Sequence, residues 1–235
     1  MKTVILSDIH SNIHALEAIV NHEKGCDQIY CAGDLVDYGP NPQEVIQWVQ
    51  ANQIPCVQGN HDHWVCKNYR NGNFLESVPA DERAWVHHNA ALLTEPEIAF
   101  LEQLPKAMTF DCDGVTYGLT HLYRDYDEII SLYEFEQFCE ATFATSIDRL
   151  IIGHTHRQAI RYLSDSLLWL NPGSVSYRRA GDPDRTAHYV VITDGRMSLK
   201  RLDYDVTAVY HTMRQVPLKA SEKRFAERNF GRRNK

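Results

Sequence analysis

No apolar run in this sequence approaches the roughly 20 residues needed to cross a bilayer. The first such run, in MKTVILSDIH, meets Ser7 and Asp8 at once and is also too short for the core of a secretory leader. A soluble, cytoplasmic protein with no membrane partner is expected. The six cysteines (Cys26, Cys31, Cys56, Cys66, Cys112, Cys139) form no CxxC pair and are thinly spread over 235 residues. That excludes a dense disulfide framework and argues for free thiols. A basic excess is also missing: the net charge is −7, so general adhesion to nucleic acid is not expected of the whole molecule. Repeats and low-complexity linkers are absent.

With 43% hydrophobic and 23% charged residues, the chain can build one sizeable core. Its charge is uneven. Residues 219–235 hold seven Lys/Arg against two Glu, a net of +5, which leaves −12 for the rest. We expect a single domain over residues 1–217 and a basic tail over 218–235. The tail reads as a frayed, solvated terminus, or else as a contact for an anionic partner.

The first part alternates strand and helix. Thr3–Leu6, Gln28–Cys31 and Ile54–Val57 read as buried strands. Ile13, Leu16, Ile19 and Val20 follow helical spacing. Asn41-Pro42-Gln43-Glu44 predicts the next helix, with Asn41 as cap, Pro42 in first position and Glu44 closing a capping box. Residues 62–105 are helical in pattern and are expected to form an insertion over one side of a sheet. Thr94-Glu95-Pro96-Glu97 and Ser131-Leu132-Tyr133-Glu134 each open a helix, and Asp113-Gly114 predicts a tight hairpin turn. Leu150–Ile152, Gln158–Tyr162, Leu167–Leu170, His188–Ile192 and Met197–Leu202 read as strands. The expected class is α/β: two packed mixed sheets flanked by helices.

Five clusters of polar, metal-capable residues each follow an apolar strand: Asp8-Ile9-His10, Gly33-Asp34-Leu35-Val36-Asp37-Tyr38-Gly39, Gly59-Asn60-His61-Asp62, His121, and Gly153-His154-Thr155-His156. Open α/β sheets gather their sites at the carboxyl ends of strands. Strand alternation would put Asp8 and His10 on one side, and likewise His154 and His156. Each cluster alone is a weak signal. Together they offer mixed oxygen and nitrogen ligands suited to two divalent transition metals, and such pairs clamp both oxygens of a phosphoryl displacement.

These motifs, in this order, resemble those of the calcineurin-like metallophosphoesterases. Asn171-Pro172-Gly173-Ser174-Val175 also resembles a run of the small bacterial members, and the resemblance covers residues 3–204. It implies that Asp8, His10 and His156 hold one metal, that Asn60, His121 and His154 hold a second, and that Asp34 bridges them. It further implies that water or hydroxide between the ions attacks phosphorus. His61 would then protonate the leaving oxygen, with Asp37 orienting its ring. Manganese is the first expectation for the metals, with Fe, Ni, Zn and Co also compatible. One departure stands out. The protein serine/threonine phosphatases of the superfamily carry Arg where this chain has Tyr38, which argues against that branch and leaves Arg157 or Arg179 as candidate phosphate clamps. His14, His22, His63, His87, His88, His188 and His211 match no ligand position. The expected activity is that of a phosphodiesterase or phosphatase on a small phosphoester. A nuclease using the basic tail, and a non-catalytic scaffold like the retromer subunit with this fold, are the competing readings.

Overall fold

The computed structural model describes residues 1–72 and 75–231. In chain order the elements are β1 (Lys2–Leu6), α1 (Ile13–His22), β2 (Gln28–Cys31), α2 (Pro42–Ala51), α3 (Asn60–Arg70), a short 3-10 turn (Leu75–Ser77), α4 (Trp85–Leu92), α5 (Glu95–Gln103), β3 (Ala107–Cys112), β4 (Val115–Thr120), α6 (Leu132–Thr142), β5 (Arg149–Ile152), β6 (Ala159–Tyr162), β7 (Leu168–Asn171), β8 (Ala187–Thr193), β9 (Arg196–Leu202), α7 (Val206–Gln215) and α8 (Ala220–Phe230).

Two mixed sheets form, with strand orders β2-β1-β8-β9 and β3-β4-β5-β7-β6. β1 pairs parallel with β2 and antiparallel with β8. β5 sits between β4 and β7, parallel to both. Strand alternation sorts the core into layers. Ile5, Val190 and Ile192 face Phe110, Leu119, Ile151 and Leu170 between the sheets. Val4, Leu6 and Val191 turn the other way, onto helices α1, α2 and α5. On the far side of the second sheet, Leu150, Ile152 and Trp169 pack against Phe135 and Cys139 of α6. Helix, sheet, sheet, helix is the four-layer arrangement expected.

Several local expectations change. Ile54–Val57 is not a strand; only Cys56 bridges to Cys31. Pro55 has no N–H to donate, so no ladder extends through it. Asn41 precedes α2 but makes no side-chain cap; its amide donates to Glu44 Oε1 at 3.0 Å instead. Asp113-Gly114 does turn the β3–β4 hairpin, and the Ser131/Glu134 capping box is formed. All six cysteines are free. The described residues of 62–105 carry α3, the 3-10 turn, α4 and α5, with irregular chain over 78–84.

The largest difference is at the C-terminus. Instead of a frayed tail, α7 and α8 pair as a helical hairpin with Val209, Met213, Ala226 and Phe230 buried. Lys223, Arg224, Glu227 and Arg228 of α8 are exposed while Phe225, Ala226 and Phe230 pack inward, a face narrow enough to be hidden in a stretch with seven basic residues between 219 and 235. Residues 232–235 lie outside the described residues. Among the described residues, no helix is long and apolar enough to cross a membrane.

Candidate metal centre

All five polar clusters meet at the carboxyl ends of β1, β2, β4 and β5. β1 ends at Leu6, so Asp8 and His10 are not strand residues and do not face the same way by alternation. The chain instead enters left-handed backbone at Asp8 (φ 53°), His10 (φ 47°), Asp34 (φ 54°), Asp37 (φ 71°), His154 (φ 67°) and His156 (φ 61°). This backbone is unfavourable for non-glycine residues and persists only where the surroundings impose it. It is held by bonds between the two loops, from Asp8 N to the Gly33 carbonyl and from His10 N to the Asp34 carbonyl, at 2.9 and 3.0 Å. Gly59 must be glycine, since a Cβ there would meet the Asp34 carboxylate.

Two groups result. Asp8, His10 and His156 offer ligand atoms within 4.8 Å of one another, as do Asp34, His121 and His154; all six residues are buried. Asn60 joins the second group, with its Oδ1 3.0 Å from His121 Nε2 and 2.9 Å from His154 Nδ1. Asp34 Oδ2 lies 3.1 Å from His121 Nε2 and 3.8 Å from His10 Nε2, between the groups. Three imidazoles are oriented from behind. Nδ1–H of His10, His121 and His156 donates to the carbonyls of Val36, Ala32 and Tyr177, at 3.3, 2.7 and 3.0 Å. That leaves each Nε2 lone pair aimed inward, the usual preparation of a metal-ligating histidine.

The donor set fits a cation. Asp8 Oδ1 and Asp34 Oδ2 are buried with no hydrogen-bond partner among the described residues, although burying an unpartnered carboxylate oxygen is costly. Burial opposes charging of His121, yet the carboxylates of Asp34, 3.1 Å from its Nε2, and of Asp8 outweigh it and push that ring up to about 10. A field strong enough to hold a proton on a buried imidazole would attract a divalent ion at neutral pH.

His61 stands beside the groups. Its Nδ1–H donates to Asp37 Oδ2 at 2.7 Å, which turns Nε2 outward. Burial works against its protonation, but Asp34 and the Asp37 hydrogen bond prevail and raise its pKa. Asp37 is held in turn by Asn89 of α4, whose Oδ1 accepts from Asp37 N at 2.9 Å and from Ser11 Oγ at 2.6 Å. Asn12 caps α1 through Ala15 N at 3.1 Å.

The two candidate arginines fare differently. Arg179 is half-buried; it donates to the His154 and Thr155 carbonyls and lies over the Tyr126 ring, 5.3 Å from its centroid. Arg157 is exposed and lines a separate cleft with Asp127 and Glu128. It is not brought to the metal-binding groups. Tyr38 packs edge-on to His61, with centroids 5.0 Å apart. Of the unassigned histidines, His188 is buried against Asp184 at 2.8 Å, and His87 accepts from Ala84 N at the start of α4.

Sequence reading missed Asp62. Its fully buried carboxylate accepts from the backbone N–H of Asp34, Leu35, Val36 and Gly59, at 3.0, 2.8, 3.1 and 2.9 Å. One side chain thus fixes the loop that carries Asp34 to the start of α3.

The family model for the calcineurin-like phosphoesterase superfamily domain matches residues 1–195. The chain belongs to that superfamily. It is a phosphoester hydrolase of a metal-dependent family, and α7 and α8 lie beyond the matched region. A metallophosphoesterase from Sphaerobacter thermophilus is similar in structure, with a TM-score of 0.73 and 26% identity over 97% of this chain and 99% of that one. An uncharacterized protein of Methanocaldococcus jannaschii is 28% identical over 224 residues, 88% of this chain and 89% of its own. A symmetrical bis(5'-nucleosyl)-tetraphosphatase of Erwinia tasmaniensis is 39% identical over 67 residues, 26% of this chain and 24% of its own.

Proposed function

We propose that this hydrolase uses a dinuclear metal centre to cleave a small phosphoester, as a phosphodiesterase or a phosphatase. The observation that carries the reading is the pair of buried groups, with Asp34 lying between them, each holding a carboxylate oxygen that makes no hydrogen bond among the described residues and faces only imidazoles of the groups. Asp8, His10 and His156 would hold one divalent ion and Asn60, His121 and His154 the other, with Asp34 touching both. Bound there, the ions would supply Lewis acidity and lower the pKa of water to near neutrality. Manganese is the first candidate.

The chain's own residues have separable tasks. Asp37 holds His61 Nδ1–H and so presents Nε2 to the leaving oxygen. The raised pKa of His61 suits a group that enters the reaction protonated and donates that proton to the departing alkoxide. Arg179, tied down by two backbone carbonyls and a ring face, would lend positive charge beside His154. The partial likeness to a nucleoside tetraphosphatase supports a phosphorylated small molecule over a macromolecule, as does the −12 charge outside residues 219–235.

The test is hydrolysis of bis-p-nitrophenyl phosphate against p-nitrophenyl phosphate by protein stripped of metal and reloaded with Mn²⁺. Metal-dependent cleavage with diester preference identifies a phosphodiesterase, and monoester preference a phosphatase. Cleavage of neither, with two ions bound, would sink the catalytic reading.

A further inference from the structure

α3 begins at the metal centre. Asn60 and His61 are its first two residues, and Trp64, Lys67, Asn68 and Asn71 follow on one face. Over those eleven positions the helix rises about 16 Å. This face forms one wall of a cavity of about 330 Å³ that opens beside His61 and Asp37. Trp85 and Val86 of α4 form another wall, and Glu222 of α8 reaches in from the C-terminal hairpin. That volume is at the small end of ligand pockets, enough for a group of nucleoside size.

The walls have a specific chemistry. Trp64 is 48% exposed, unusual for an indole, and its ring meets His61 edge-on with centroids 4.6 Å apart. A large flat surface therefore stands next to the residue proposed to protonate the leaving oxygen. Beyond it, Asn68, Asn71 and Glu222 supply amide and carboxylate groups, and Asn68 Oδ1 has no hydrogen-bond partner among the described residues. A sugar phosphate has no planar π-face to stack on the indole. A nucleobase offers a π-face to Trp64 and a polar edge to the amides.

We propose that this cavity receives the base of a nucleoside or nucleotide leaving group, stacked on Trp64, and that α8 helps to enclose it. The proposal deepens the functional reading above and rests on it. It makes the insertion and the C-terminal hairpin, rather than the metal loops, the determinants of substrate choice.

The test compares binding of adenosine 5'-monophosphate and ribose 5-phosphate to the full-length, Mn²⁺-loaded protein by calorimetry. Stacking of one base on an aromatic ring is worth on the order of tenfold or more in affinity. The nucleotide should therefore bind at least about tenfold tighter than the sugar phosphate. Trp64→Ala should bring the ratio close to one, and Trp64→Phe should retain most of it. Equal affinities in the wild type, absence of binding by both ligands, or an unchanged ratio in Trp64→Ala would each overturn the proposal. If the base preference fails while bis-p-nitrophenyl phosphate is still cleaved, only the subsite falls. If metal uptake and hydrolysis are both missing, the centre itself has been misread, and the subsite falls with it.

Discussion

Replacing Asp62 with alanine takes away one acceptor and leaves four buried N–H groups, those of Asp34, Leu35, Val36 and Gly59. Each stranded donor costs about 1–3 kcal/mol, so the gross loss is at least about 4 kcal/mol. An opposing effect exists. Burial and the neighbouring Asp34 push the Asp62 carboxyl up to about 6, so its ionised form is itself strained, and removing it returns about 3 kcal/mol at neutral pH. Taking the middle of the first range, about 8 kcal/mol for the four donors, the hydrogen bonds win and Asp62→Ala should lose about 5 kcal/mol, a large share of a typical 5–15 kcal/mol. Asp62→Asn removes the charge but keeps one acceptor oxygen for two of the four donors, so its loss should be smaller, about 1–2 kcal/mol by the same bookkeeping. Urea denaturation of metal-free protein at pH 7.5 measures both. If Asp62→Ala stayed within 1 kcal/mol of wild type, or Asp62→Asn proved the worse of the two, the view of Asp62 as the organiser of this loop would be wrong.

His61→Ala should keep both metals and lose about 10²–10⁴-fold in kcat, while Asp37→Asn should lose less; a His61→Ala enzyme at wild-type rate would take that ring out of the mechanism. His88 is buried beside Trp85 with its Nδ1 unpartnered among the described residues, and burial pushes its pKa down to about 4. The unfolded chain takes up the proton near pH 6.5 and the folded one only near 4, so stability from this group is complete above about 6.5 and is lost as pH falls toward 4. By pH 4.5 the wild type should have lost about 2–3 kcal/mol relative to His88→Gln; a gap between the two that does not change with pH would refute this.

The candidate ligand positions were legible because strand ends are legible. An apolar run that stops at a polar, metal-capable residue marks both the end of a chain segment crossing the core and a candidate for the site; four of the five stops end strands, and Ile54–Val57 before Asn60 runs beside β2 without becoming one. The reason two residues in DIH or GHTH converge was not legible. Period-2 alternation was assumed, whereas the strands end before Asp8 and His154 and left-handed backbone turns the side chains inward. Asp62 escaped notice because its partners are the backbones of Asp34, Leu35 and Val36, more than 25 residues away, and a side chain serving distant N–H groups has no sequence signature. α7 could have been found: Val206, Val209, Tyr210 and Met213 keep helical spacing. In α8 the inward Phe225, Ala226 and Phe230 were outweighed in the reading by the surrounding charge. The Trp64 face of α3 was seen only as helix, since its meaning depends on α4 and α8 closing over it.

The claim that Asp34 joins two metal sites is tested most directly by counting ions. Wild-type protein reconstituted with Mn²⁺ and freed of excess metal should carry two ions per chain by elemental analysis. Asp34→Asn should lose affinity at both sites together, because its Oδ2 lies between His10 and His121. A wild-type stoichiometry of one or none, or an Asp34→Asn protein that still holds two ions as tightly, would contradict the account.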